Sequence, residues 1–156
     1  MAVDFAYRKR QVAQLSTAIG VYVLADLDNV PIYVGLTTDS IRARVQRHLT
    51  SARSDIVANR QIDVWEIAFV HQYPVKGAAD LAPLESALYH AFDPVSRLMN
   101  GTVPALPPPG FAVPAPGAVI PVMPEDERRE RLDPEQRLPR QVRHYGEIVG
   151  HFQSVK

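Results

Sequence analysis

The chain has 156 residues, 17 basic and 17 acidic side chains that cancel, and no cysteine. That length supports one ordinary domain with some excess. The missing thiols exclude a disulfide framework, a thiolate zinc site and a cysteine nucleophile, and they point to a reducing compartment. No apolar run reaches the ~18–20 residues that span a bilayer, and MAVDFAYRKRQ carries charge where a signal peptide needs apolar residues, so a cytoplasmic location without membrane contact is expected.

In chain order, Asp4 to Leu15 is expected to be helical, with Phe5, Val12 and Leu15 as its apolar contacts. Ile19–Ala25 (IGVYVLA) and Pro31–Gly35 (PIYVG) are rich in β-branched and aromatic residues and are expected to be strands. The polar Asp26–Asn29 between them has hairpin-loop chemistry. A four-residue loop would set Tyr22 directly across from Tyr33, with β-carbons about 5 Å apart on one face. Gly20 and Gly35 beside them leave room for a backbone or a ligand.

A helix capped at Thr38 or Asp39 follows, with Ile41, Val45 and Leu49 as its apolar stripe. Ser54–Arg60 is a short helix or loop, and Asp63–Tyr73 a third strand. Leu81, Leu84, Leu88 and Phe92 mark another helix, ended by Pro94. Eight of the 14 prolines fall between Pro104 and Pro124, so 102–124 is expected to be an extended linker or arm, unable to form helix or central strand. A charged tail, 125–156, carries a short helix from Leu138 to about Phe152. The domain reading is thus 1–101, 102–124 and 125–156. The order α-β-β-α-β-α gives an α+β fold, a short antiparallel sheet flanked by helices.

Chemistry concentrates in three places. Arg44 and His48 are i, i+4 neighbours beside the apolar stripe. Between Ile41 and Arg60 stand five arginines (Arg42, Arg44, Arg47, Arg53, Arg60) and His48 against one acid, Asp55. This is the local basic patch that a neutral protein needs to bind nucleic acid, and a guanidinium fork suits a phosphate. Glu85, at the border of a core-facing helix, is a candidate hard-oxygen ligand for magnesium. Asn100 before Gly101 suits a turn. Singly, each of these residues has an ordinary structural role.

Together they resemble the GIY-YIG nuclease family. Gly20-Val21-Tyr22 and Tyr33-Val34-Gly35 match the two signature tripeptides, with valine for isoleucine in both, and Arg44, His48, Glu85 and Asn100 follow in order. The resemblance covers about residues 18–101 and implies a divalent-metal-dependent endonuclease of restriction, repair or mobile-element type that cuts DNA. It implies a single magnesium (manganese as the alternative) on Glu85 and a catalytic set of Tyr22, Tyr33, Arg44, His48, Glu85 and Asn100. In that set Tyr22 is the general base, Tyr33 positions the water or a phosphate oxygen, and Arg44 holds the scissile phosphate. His48 either relays the proton or binds a non-bridging oxygen, and Asn100 fixes local geometry or touches a phosphate. Two other readings stand beside it: a non-catalytic nucleic-acid-binding or regulatory module that keeps the fold, and an assembly subunit docking through its proline-rich arm. One such site cuts one strand, so a double-strand break requires either a homodimer or a second binding event, and the C-terminal arm is the candidate for dimer contacts or for a clamp around DNA.

Overall fold

The computed structural model describes residues 4–50 and 64–155. Its centre is a four-stranded antiparallel sheet, β1 (Gly20–Ala25), β2 (Pro31–Thr37), β3 (Phe69–Pro74) and β4 (Ala118–Pro121), in the order β2-β1-β3-β4. Helix α1 (Phe5–Val12) is capped by the Asp4 carboxylate, which accepts from the Tyr7 N–H, and α2 (Ile41–Leu49) by the Ser40 hydroxyl, which accepts from Ala43. Thr38 and Asp39 are therefore not the cap. Ser40 has the extended backbone that a cap requires.

Alternation along β1 sorts the core onto two faces. Tyr22 and Leu24 pack with Val12, Leu15, Ile41, Val45 and Leu49 under α1 and α2. Val21 and Val23 pack with Leu81, Leu84 and Leu88 of α3 (Leu81–Ser96) on the other face. The expected stripe of α2 is fully buried. The fold is α+β, with the central strand β1 buried on both faces.

The hairpin register differs from the expected one. The turn is Leu27-Asp28-Asn29, with Asp26 N–H bonded to the Val30 carbonyl and Asn29 at φ 60°. Asp26 Oδ1 accepts from the Asp28 and Val30 amides, which fixes a loop of this length. Ile32 is then an extra residue on β2: Ala25 pairs with Pro31, but Leu24 pairs with Tyr33. Its carbonyl, outside the ladder, accepts from Met99 N–H at 2.8 Å. Tyr22 consequently opposes Gly35 rather than Tyr33. The offset is two residues, so both tyrosines still share a face, now on a diagonal.

Three other expectations change. Of the proposed third strand only Phe69–Pro74 is β, since Val64–Glu66 is a 3₁₀ turn; Asp63, and the Ser54–Arg60 segment, lie outside the described residues. Helix α3 passes through Pro94 and ends at Arg97 with φ 51°, its last turn tied by Asp93, which receives the Arg97 amide on its carbonyl and the Leu98 amide on its carboxylate. The proline-rich segment contributes β4, which pairs with β3. An edge strand needs few backbone donors, so the prolines around it are tolerated there.

The charged tail holds two helices, α4 (Glu125–Leu132) and α5 (Pro134–Val155), the second much longer than Leu138–Phe152. Acids fill the first turn of α4 and arginines its last, matching the helix dipole. Pro134 opens α5 at its first position, where no amide partner is needed. Among the described residues no helix is long and apolar enough to cross a membrane.

Candidate active site

Tyr22 is fully buried on β1, and its place depends on Gly35. A β-carbon on Gly35 would lie 2.5 Å from both Tyr22 Cζ and Oη and 2.9 Å from Tyr33 Cε1. The space beside Gly35 is thus taken by the chain's own tyrosines, not by a ligand. Gly20 is filled likewise, since a β-carbon there would stand 2.4 Å from the Tyr73 carbonyl oxygen of β3.

The Tyr22 and Tyr33 ring centroids are 6.2 Å apart, and His48, in the last turn of α2, completes a triangle at 5.9 Å from Tyr22 and 6.4 Å from Tyr33. Tyr22 Oη and His48 Nε2 are hydrogen-bonded at 2.9 Å. Arg44 stands one helical turn before His48. Its Nε is buried without a hydrogen-bond partner, while its charge favours the anionic form of both phenols. A buried donor left open in this way is a place for an anion's oxygen.

Burial dominates the electrostatics. It raises the Tyr22 hydroxyl well above the ordinary phenol range, with Tyr33 adding to the rise and Arg44 opposing it. Tyr33 is also raised, chiefly by burial, with Arg44 opposing and the Glu85 charge adding. His48 is pushed down to about 4, first by burial and then by the charges of Arg44 and Arg47. At neutral pH the histidine is therefore uncharged. With its proton on Nδ1, Nε2 accepts the hydrogen bond that the Tyr22 hydroxyl donates.

Glu85 is half-buried on α3, across the sheet from α2, and its field reaches Tyr33. Burial raises its carboxyl pKa, with no compensating charge or hydrogen bond from another described residue. A cation would reverse that penalty, and a hard carboxylate suits magnesium. No group of three or more metal-binding side chains gathers among the described residues. A metal here would rest on Glu85 with water as its remaining ligands, which fits an ion that keeps several waters.

Asn100 is buried, and both ends of its amide are engaged by one residue. Its Oδ1 accepts from Val34 N–H at 3.1 Å and its Nδ2 donates to the Val34 carbonyl at 2.7 Å. It acts as a one-residue strand on the open edge of β2 and fixes the segment that carries Tyr33 and Gly35.

The basic patch divides. Arg42 Nε donates to the Leu15 carbonyl at 2.9 Å, tying α2 to the end of α1's connection, whereas Arg47 is exposed on the outer face of α2. Arg53 and Arg60 lie outside the described residues. Tyr22, Tyr33, Arg44 and His48 thus form one cluster, with Glu85 facing it electrostatically and Asn100 supporting it from behind. Sequence reasoning missed the clamp between Asn100 and Val34, because a side chain that binds the backbone 66 positions away leaves no local pattern.

No curated protein matches the chain. Residues 18–97, just over half of its length, match the GIY-YIG catalytic domain. That span contains both tyrosines, the Arg44–His48 helix and Glu85, so the chain belongs to the GIY-YIG family and carries its nuclease-type fold.

Proposed function

We propose that this chain is a divalent-metal-dependent endonuclease that hydrolyses DNA phosphodiester bonds, with Tyr22 and His48 moving the proton of the attacking water. The observation that carries this reading is the 2.9 Å hydrogen bond between the Tyr22 hydroxyl and the neutral His48 ring. A phenol whose pKa is raised by burial is no base by prior ionisation. It can serve only by accepting the water proton on Oη while giving its own proton to His48 Nε2. The water oxygen then bonds to phosphorus, the opposite P–O bond breaks, and the leaving oxygen takes a proton from solvent.

Substrate binding assists the relay. Burial is the larger cause of the low His48 pKa, but the charges of Arg44 and Arg47 add to it. A phosphate seated on Arg44 offsets that repulsion, so the imidazole becomes a better acceptor when DNA is present. Tyr33 orients the water, and Arg44 meets the charge that grows on the phosphate. Asn100 is a positioning residue, since its amide is spent on Val34. Glu85 would hold magnesium, with manganese as the alternative, and the ion would supply charge stabilisation at the phosphate when bound. Arg47, and Arg53 and Arg60 from the sequence, are the proposed contacts to the DNA backbone. In this reading 1–101 is the catalytic unit, 102–124 an arm that lends it an edge strand, and 125–156 a helical tail.

The test is nicking of supercoiled plasmid at low salt, with magnesium and with chelator, for the parent chain, Glu85→Ala and Tyr22→Phe. Metal-dependent nicking is expected, reduced on the order of 10²-fold or more by either substitution. DNA that is retarded on a gel but never cut would leave the non-catalytic binding module as the reading.

A further inference from the structure

Helix α5 carries an apolar stripe that nothing among the described residues covers. Leu138, Val142, Tyr145 and Val149 follow one another at intervals of four, three and four, and they are 62, 65, 69 and 38 % exposed. This is the spacing of a helix that packs against another helix, and Phe152 holds the next position of the same register in the sequence. The first turns of α5 are tied to the body: Arg137 bonds the Asp28 carboxylate, and Arg140 pairs with Glu66 at 2.6 Å. From Gln141 onward every described side chain is exposed.

The residues around the stripe say what covers it. Gly146 and Gly150 are poor helix formers, and so short a free segment does not keep its helix in water unaided. A contact along the stripe supplies the missing stability. The positions bordering the seam are Pro139, Gln141, Gly146, Ile148 and Gln153, and none is charged. Charges at these borders are how a helix selects an oppositely charged partner. Their absence gives no such selection and sets no like-charge repulsion between two identical helices. A β-carbon built on Gly146 meets nothing within 4 Å, so a second backbone has room to approach.

We propose that α5 is a self-association surface, on which two copies of this chain pair their helices along Leu138, Val142, Tyr145 and Val149. The pairing does not depend on the nuclease chemistry.

Sedimentation equilibrium of the full chain tests it, at concentrations up to about 100 μM. The expected result is a species of twice the 17.3 kDa chain mass. The double variant Val142→Asp/Tyr145→Asp is expected to sediment as a monomer, its association weakened at least about a hundredfold. Val95→Asp, at an 87 % exposed position on α3, is expected to leave the dimer intact. A monomeric parent chain overturns the proposal, and so does a dimer that the double variant preserves. Because the chain has no cysteine, oxidative cross-linking gives a second reading that does not rely on aspartates in a helix. Val142→Cys, Tyr145→Cys and their mixture are expected to yield a covalent dimer in at least one of the three samples, while Val95→Cys yields none. No cross-link in any of the three overturns the pairing.

Discussion

Gly35 and Tyr22 form one packing unit, because the ring of Tyr22 occupies the space that a side chain at 35 would fill. A methyl group there would overlap Tyr22 Cζ and Oη at 2.5 Å, and a fully buried ring has nowhere to retreat. Gly35→Ala is therefore expected to cost about 1–3 kcal/mol of stability and to cut nicking further than that loss alone explains, since it moves Oη off His48. Urea unfolding and plasmid nicking at a temperature where the variant stays folded check both. His48 gives a prediction in pH. Its pKa in the fold is about 4, against 6.5 ordinarily, so between those values the unfolded chain binds more protons than the folded one. Stability from this group is complete above about pH 6.5 and falls as pH drops toward 4. His48→Gln is expected to flatten that part of the urea-midpoint profile between pH 7 and pH 5, and an unchanged slope would remove His48 as its source. That Tyr22, Tyr33 and His48 belong together was legible in the sequence, because residue type and order alone single them out. The seat of Tyr22 was not, because it depends on the extra residue Ile32, and nothing about an isoleucine in PIYVG signals a bulge.

At the scale of elements, α1 is held by an arginine rather than by its apolar face alone. Arg8 is fully buried, and its guanidinium donates to the Val64 and Ile67 carbonyls at 2.8 Å each and to the Val122 carbonyl at 3.4 Å. It thereby joins α1, the 3₁₀ turn before β3 and the end of β4. Arg8→Leu removes the guanidinium from all three carbonyls, leaving Val64 only the 3.4 Å bond from the Ile67 N–H, and each buried polar group so stranded costs roughly 1–3 kcal/mol. A total loss of about 3 kcal/mol or more is expected in urea unfolding, while Arg10→Leu, on the exposed side of the same helix, is expected to stay within about 0.5 kcal/mol. Similar losses for the two would show that Arg8 is not a tie. The sequence concealed this because Arg8 sits in a run, YRKRQ, that resembles a solvated face. Helices α2 and α3 were legible through their apolar stripes. Strand β4 was hidden by its prolines, which exclude a central strand but not an edge one.

For the whole molecule, the question is where the chain can be cut and still fold. The proline-rich residues look dispensable in the sequence, yet their C-terminal part completes the body: β4 extends the sheet, Val122 and Met123 are buried, and Val122 N–H bonds the Ala68 carbonyl at 2.8 Å. Helix α4 adds a buried ion pair, Arg131 with Glu127 at 3.2 Å, and Arg131 also reaches Glu66 at 3.5 Å, beside the turn that Arg8 holds. A chain ending at Gly101 loses all of this at once and strands Arg8 without the Val122 carbonyl, so it is expected to lose cooperative unfolding. A chain ending at Arg140 keeps β4, α4, the Glu66 pair and the Asp28 contact, and removes only side chains that are exposed wherever they are described. It is expected to unfold within about 1 kcal/mol of the parent at concentrations where both are monomeric, and to nick DNA at the parent's rate per site. Thermal unfolding of the two truncations side by side decides the matter. If the chain ending at Gly101 melts cooperatively and as high as the one ending at Arg140, the body closes without β4, and the last third of the sequence is an appendage rather than a wall of the fold.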